Sequence, residues 1–219
     1  MTAGLQVFRP NNTLQIDSEI KTLTLTAKVV ASGWTLGSTV YSTTVAVPNT
    51  TVMLLFGNTS GSVVGIKEKY ASGSSIVYRL WSNSTTAITC YGFGPAEITP
   101  ATYGLQLFDA AGHLTFDATS KFLKIQGVTQ TTSDIQSVPY SNPTGATIAS
   151  GLSNYNARYI RNQIGQHQAF AVIIRGLRVG PSQIDSGLIL NQGPATTTPP
   201  GVSSIGQLPT VITVDVTNY

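Results

Sequence analysis

Cysteine is nearly absent: Cys90 is the only one in 219 residues, so no disulfide can form within the chain and a disulfide-stapled scaffold is excluded. Charge is scarce too. Lys, Arg, Asp and Glu make up 10% of the residues, against about a quarter in ordinary globular chains. Two histidines and nine acidic side chains are a thin inventory for acid–base, nucleophilic or metal chemistry, so neither a catalytic residue nor a cofactor is expected. The 12 cations and net charge of +3 are spread along the chain rather than clustered. A nucleic-acid partner, which needs several cations acting together, is not expected. Long apolar runs are also missing. Val52 to Phe56 and Ala169 to Ile174 fall far short of the roughly 18 residues of a membrane span. Met1 to Asn12 lacks the cationic and apolar regions of a signal peptide, so the chain reads as a product retained in the cytoplasm that makes it.

What is present is apolar and hydroxyl-rich. Hydrophobic residues account for 41%, and threonine alone for about one residue in seven. β-branched residues in such numbers predict an all-β fold rather than helical bundles. Laying residues 2–23 over 102–123 without gaps gives identities at Thr2, Gly4, Leu5, Gln6, Phe8, Leu14, Asp17, Lys21 and Leu23. Few of these are the common Thr or Ser, so the match is an internal repeat rather than shared bias. Each copy reads as a hairpin, with Arg9-Pro10-Asn11-Asn12 as one turn and Asp109-Ala110-Ala111-Gly112 as the other. We therefore expect two tandem β-sandwich-like modules, 1–98 and 99–219, each opening with a related hairpin.

Beyond the hairpins, strand signals recur. Leu23, Leu25, Ala27 and Val29 alternate with Thr22, Thr24, Thr26 and Lys28, which predicts one half-buried strand with the apolar set on one face. Strands are expected around 45–47, 52–56, 63–70, 75–81, 87–93, 169–174, 188–190 and 211–216, with a long polar stretch at 126–156 between the halves of the list. The order of signals matches 52–56 with 169–174 and 87–93 with 211–216. Residues 154–168 have Tyr155, Tyr159, Ile160 and Ile164 at helix-compatible spacing and read as a short helix or an irregular loop. Residues 194–204, rich in Pro and Thr, read as an exposed loop.

The second hairpin, Tyr103-Gly104-Leu105-Gln106-Leu107-Phe108-Asp109-Ala110-Ala111-Gly112-His113-Leu114-Thr115-Phe116-Asp117, resembles the YGLQVFNAxGxLxFDS element of small tail and minor structural proteins of tailed bacteriophages. The first copy, from Gly4 to Phe8, resembles the opening of the same family. Ala118 departs from the family's usual Ser. The resemblance implies a virion component of the tail tip or a tail appendage, without catalytic activity, assembled in the host cytoplasm and contacting other virion proteins in several copies. Its motif residues here are Gly4, Leu5, Phe8, Asp17, Gly104, Leu105, Phe108, Gly112 and Asp117.

Other residues have plain structural readings. His113 and His167 lack a nucleophile or metal motif around them. Asp17, Asp109 and Asp117 sit where strands turn and suit acceptance of backbone N–H groups rather than a cation. Tyr155, Arg158, Tyr159 and Arg161 combine aromatic and planar hydrogen-bonding groups, which suits a protein interface or a host-surface glycan. The leading expectation is a non-enzymatic assembly protein, and the alternative is a receptor- or glycan-binding module. A hydrolase would need paired carboxylates, for which Glu68 and Glu97 are too isolated to nominate.

Overall fold

The computed structural model describes residues 6–8, 14–17, 22–95, 102–139, 145–155, 157–164, 167–192 and 207–219, with 6–8, 14–17, 157–164, 167–170 and 192 as backbone. Every regular element among them is a strand, as the composition predicts. In the first half these are β1 (Gln6–Phe8), β2 (Leu14–Asp17), β3 (Thr24–Ala31), β4 (Thr35–Leu36), β5 (Tyr41–Pro48), β6 (Met53–Phe56), β7 (Val64–Ser72), β8 (Ser75–Ser82) and β9 (Ile88–Gly94). The second half supplies β10 (Gln106–Phe108), β11 (Leu114–Asp117), β12 (Lys124–Gln130), β13 (Gln136–Pro139), β14 (Ile148–Leu152), β15 (Ala157–Ile164), β16 (His167–Val179), β17 (Gln183–Gln192) and β18 (Thr210–Asp215).

Two hairpins and two large antiparallel sheets result. One sheet runs β12-β18-β14-β6-β9-β3, and the other runs β13-β17-β16-β7-β8-β5-β4 with β15 attached to β16. Reading outward from the middle of each sheet, β6-β9-β3 matches β14-β18-β12, and β7-β8-β5 matches β16-β17-β13. The match extends to single residues. The two hairpins share one register, Gln6 opposite Asp17 and Gln106 opposite Asp117, each with a shift one residue on. β3 and β12 carry a bulge at the same place, after Leu25 and after Ile125. Val47 faces Ile76 as Val138 faces Ile184, and both β5 and β13 end on a proline opposite the start of the next strand. Proline is tolerated there because a strand end need not donate to the ladder.

The modules meet edge to edge. Equivalent strands pair antiparallel, β6 with β14 at Phe56 and Ser150, and β7 with β16 at Val64 and Leu177, which is the arrangement a two-fold axis generates. A third tie joins the repeated residues themselves: the Leu25 N–H donates to the Lys121 carbonyl at 2.8 Å and the Leu123 N–H to the Leu23 carbonyl at 2.9 Å. Where strands from different modules close on each other, side chains must give way. A Cβ at Gly151 would lie 2.5 Å from Leu55 Cδ2, so any larger residue there would force that leucine to move.

The main core lies between the sheets and joins both modules, with Leu54, Phe56, Leu80, Ile88 and Cys90 from the first and Ile148, Leu177, Ile184 and Val211 from the second. Burying each large side chain contributes about 1.5–3 kcal/mol. A second cluster, Leu55, Tyr91, Phe93, Val214 and Val216 with Leu23, Leu25 and Leu123, covers the outer face of the six-stranded sheet.

Several expectations need correction. The alternation from Leu23 to Val29 does not keep one face: the β3 bulge inserts a residue, so Leu23 and Leu25 join the outer cluster while Ala27 and Val29 join the inner one. By sheet position, 52–56 corresponds to β14 rather than to 169–174, which lies in β16 and corresponds to β7. β14 escaped notice because its seam position favours small residues, Ala149, Ser150 and Gly151. The match of 87–93 with 211–216 is borne out by register. The polar stretch 126–156 contains the end of β12 and all of β13 and β14. Residues 157–164 form strand β15, not a helix or loop, because they pair along their whole length with β16, from Ala157 opposite Ile174 to Ile164 opposite His167. Residues 194–204 lie outside the described residues.

Candidate interaction surfaces

The second hairpin is built on two carboxylates. Asp109 accepts the backbone N–H groups of Ala111 at 2.9 Å and His113 at 2.8 Å, and pairs with His113 Nδ1 at 2.9 Å. The hydrogen bonds from His113, backbone first and ring second, hold the Asp109 carboxyl below its ordinary value. Gly112 closes this turn at φ +83°, a region that costs a side chain strain. At the other end Asp117 is fully buried and accepts from Gln106 Nε2 at 2.9 Å and from the Thr119 N–H and hydroxyl at 2.9 and 2.6 Å. Both carboxylates therefore act as turn acceptors.

Leu107, Thr115 and Asp117 of the hairpin are buried, while other apolar members of it are exposed. Tyr103 is 77% exposed, Leu105 51% and Phe108 49%. Three exposed large apolar side chains within six residues are a feature of the kind that marks interaction sites. Phe116 stacks on Phe122 with ring centroids 4.5 Å apart and ties the hairpin to the segment that leads into β12. Gly104, with φ +108°, lies between Tyr103 and Leu105. In the first hairpin Phe8 and Asp17 occupy the register positions of Phe108 and Asp117, and Gly4 and Leu5 lie outside the described residues.

The second candidate group is divided by the fold. Tyr155 belongs to the core: its ring meets Phe56 edge-on at 6.1 Å and its hydroxyl accepts the Leu152 N–H at 3.1 Å. Burial pushes its phenol well above the ordinary value. Arg158, Tyr159 and Arg161 lie in β15, opposite Ile173, Val172 and Phe170. Among the described residues β17 pairs with β16 only from Ala171 onward, so there the β15–β16 ribbon extends past β17, and no described strand of the first module corresponds to β15. Tyr155 also helps line a recess of about 400 Å³ beside the seam, with Leu54, Ile66, Lys69, Tyr78 and Leu152 among its walls.

Arg175 was not singled out by sequence. It is buried, donating from Nε to Asp134 at 2.7 Å and from Nη1 to Asn154 Oδ1 and the Gln207 carbonyl, both at 2.6 Å. This ion pair ties three connecting segments of the second module together. Its only sequence signal is a cation directly following the apolar run 169–174. The exposure of Tyr103, and of Ile125 and Val128 in β12, had no sequence signal, since exposure cannot be read from residue type.

Among the described residues no group of three or more His, Cys, Asp or Glu is placed to hold a metal ion, and no helix is long and apolar enough to cross a membrane. Burial pushes the Cys90 thiol up to about 12, so it is protonated near neutrality. No protein-family model, no curated protein and no solved structure matches the chain.

Proposed function

We propose that the chain is a non-enzymatic structural component of a tailed-bacteriophage virion, located in the tail tip or a tail appendage and assembled in the host cytoplasm. The observation that carries this reading is the exposure of three large apolar side chains, Tyr103, Leu105 and Phe108, in and beside a hairpin whose carboxylates are satisfied internally. That hairpin is also the element resembling the phage family. Its rigid turn presents these side chains at little ordering cost, and a neighbouring virion protein covering them gains most of the interface energy from those anchors. Low charge suits the same role, since interface cores are depleted in charged side chains.

Quantitative mass spectrometry of particles purified from producing cells tests the proposal. The chain should be present at a fixed copy number, and Phe108→Asp should fold normally but be lost from particles. Absence of the wild-type chain from particles contradicts the reading. A receptor- or glycan-binding role is favoured by one observation, the β15–β16 ribbon that extends past β17 among the described residues, with Arg158, Tyr159 and Arg161. Selective retention on a glycan array, abolished by Tyr159→Ala, would support it.

A further inference from the structure

We propose that β12 is the edge on which a second copy of this chain docks, strand against strand, so that two copies share one continuous sheet. This deepens the assembly reading by naming one partner, and rests on that reading only for its biological setting.

β12 ends the six-stranded sheet, paired on one side with β18. Among the described residues nothing pairs with its other side. Of its seven residues only Gly127 is partly covered, Ile125 and Val128 being 56% and 61% exposed, and Lys124 is the only charge. A long uncharged edge with exposed β-branched residues is a template for another strand, and proteins that must stay monomeric blunt such edges. The other three ends of the two strand orders are blunted. β4 has two residues, β13 has four and finishes in Pro139. β3 carries Lys28, whose Nζ donates to the Tyr219 carbonyl at 2.6 Å and sits 5.6 Å from the Tyr91 ring centroid. Because β3 and β12 share one register and one bulge, the position of Lys28 is filled in β12 by Val128. The guard on one edge is an exposed valine on its counterpart.

The occupant follows from self-complementarity. An antiparallel pairing about an axis through Val128, perpendicular to the sheet, keeps every residue on its own face. It sets Val128 against its own copy and Gly127 against Thr129. Lys124, beyond the bulge, is carried away from the axis, so no like charges meet. The same pairing of β3 would oppose Lys28 to Lys28, a repulsive pair. Edge pairing is also how this sheet was doubled once already, through β6 and β14.

Sedimentation velocity of the full chain tests the proposal. Wild type should be a dimer, Val128→Lys should weaken association by at least about tenfold, and Val30→Lys on β3 should not. A second variant needs no disruption: Val128→Cys, oxidised by dissolved oxygen, should give a disulfide-linked dimer, while Val30→Cys should dimerise without forming a disulfide between copies. A monomeric wild type, a folded Val128→Lys variant that still dimerises, or cross-linking equal at the two sites overturns it. Each outcome leaves the hairpin reading to be judged separately, by incorporation of Phe108→Asp into particles.

Discussion

At Gly65 a methyl group has nowhere to go. A Cβ there would overlap the carbonyl oxygen of Arg175, a backbone atom that cannot swing away, and would press on Ile174. Gly65→Ala should therefore lower the free energy of unfolding by about 2 kcal/mol or more, read from the denaturant midpoint. An unchanged midpoint would show that the seam between β7 and β16 is looser than described. Acid stability depends on two carboxylates. Burial pushes Asp215 up, but the Thr217 hydroxyl and N–H and the Lys124 ammonium outweigh it and hold the carboxyl below its ordinary value. Asp109 is lowered by its His113 hydrogen bonds. A depressed carboxylate contributes stability that is present above its unfolded pKa and lost as pH falls through its folded one. Melting temperature should thus fall on acidification below about pH 4, and less steeply in Asp215→Asn. The turn role of the aspartates was legible because such a carboxylate acts within a few residues of itself. The Arg175–Asp134 pair was not, since its members are brought together only by the packed sheets.

At the scale of the element, the two strands of each hairpin were legible because their residues are repeated and their partners are local, while their register was not. β3 was legible as a strand but not in its facing. One bulged residue decides whether Ala27, Val29 and Ala31 point into the core or out of it, and bulges leave no mark in an alternation of Thr with apolar residues. Deleting Thr26 should remove the bulge and keep those three side chains inward, because Leu25 stays opposite Phe93 and Ala27 opposite Gly92. Deleting Lys28 instead, in the regularly paired part of β3, should turn Val29 and Ala31 outward and abolish the cooperative melt. A Lys28 deletion as stable as wild type would contradict the assigned register. β14 and β15 were missed for opposite reasons. The first is small-residue rich because it lies at the seam, and the second carries a spacing that fits a helix equally well until β16 is alongside.

At the scale of the whole molecule, the division into two similar modules was legible from the repeat, and their fusion was not. Edge pairing between β6 and β14 depends on backbone geometry that no residue type announces. Because both sheets and the main core cross the seam, the modules should unfold together. Trp34 and Trp81 both lie in the first module, Arg175 in the second. Arg175→Leu leaves Asp134 without its buried partner at a cost of about 3 kcal/mol, and it should shift the tryptophan fluorescence transition as far as the far-ultraviolet circular dichroism transition. A tryptophan signal that ignores the change would mean two independent units.

The account as a whole holds that a rigid duplicated hairpin carries exposed apolar side chains for a neighbouring protein to cover. A cryo-electron-microscopy map of the intact particle measures this directly. The prediction is density from an adjacent subunit packed over Tyr103, Leu105 and Phe108; a hairpin standing free in solvent in every copy would contradict it.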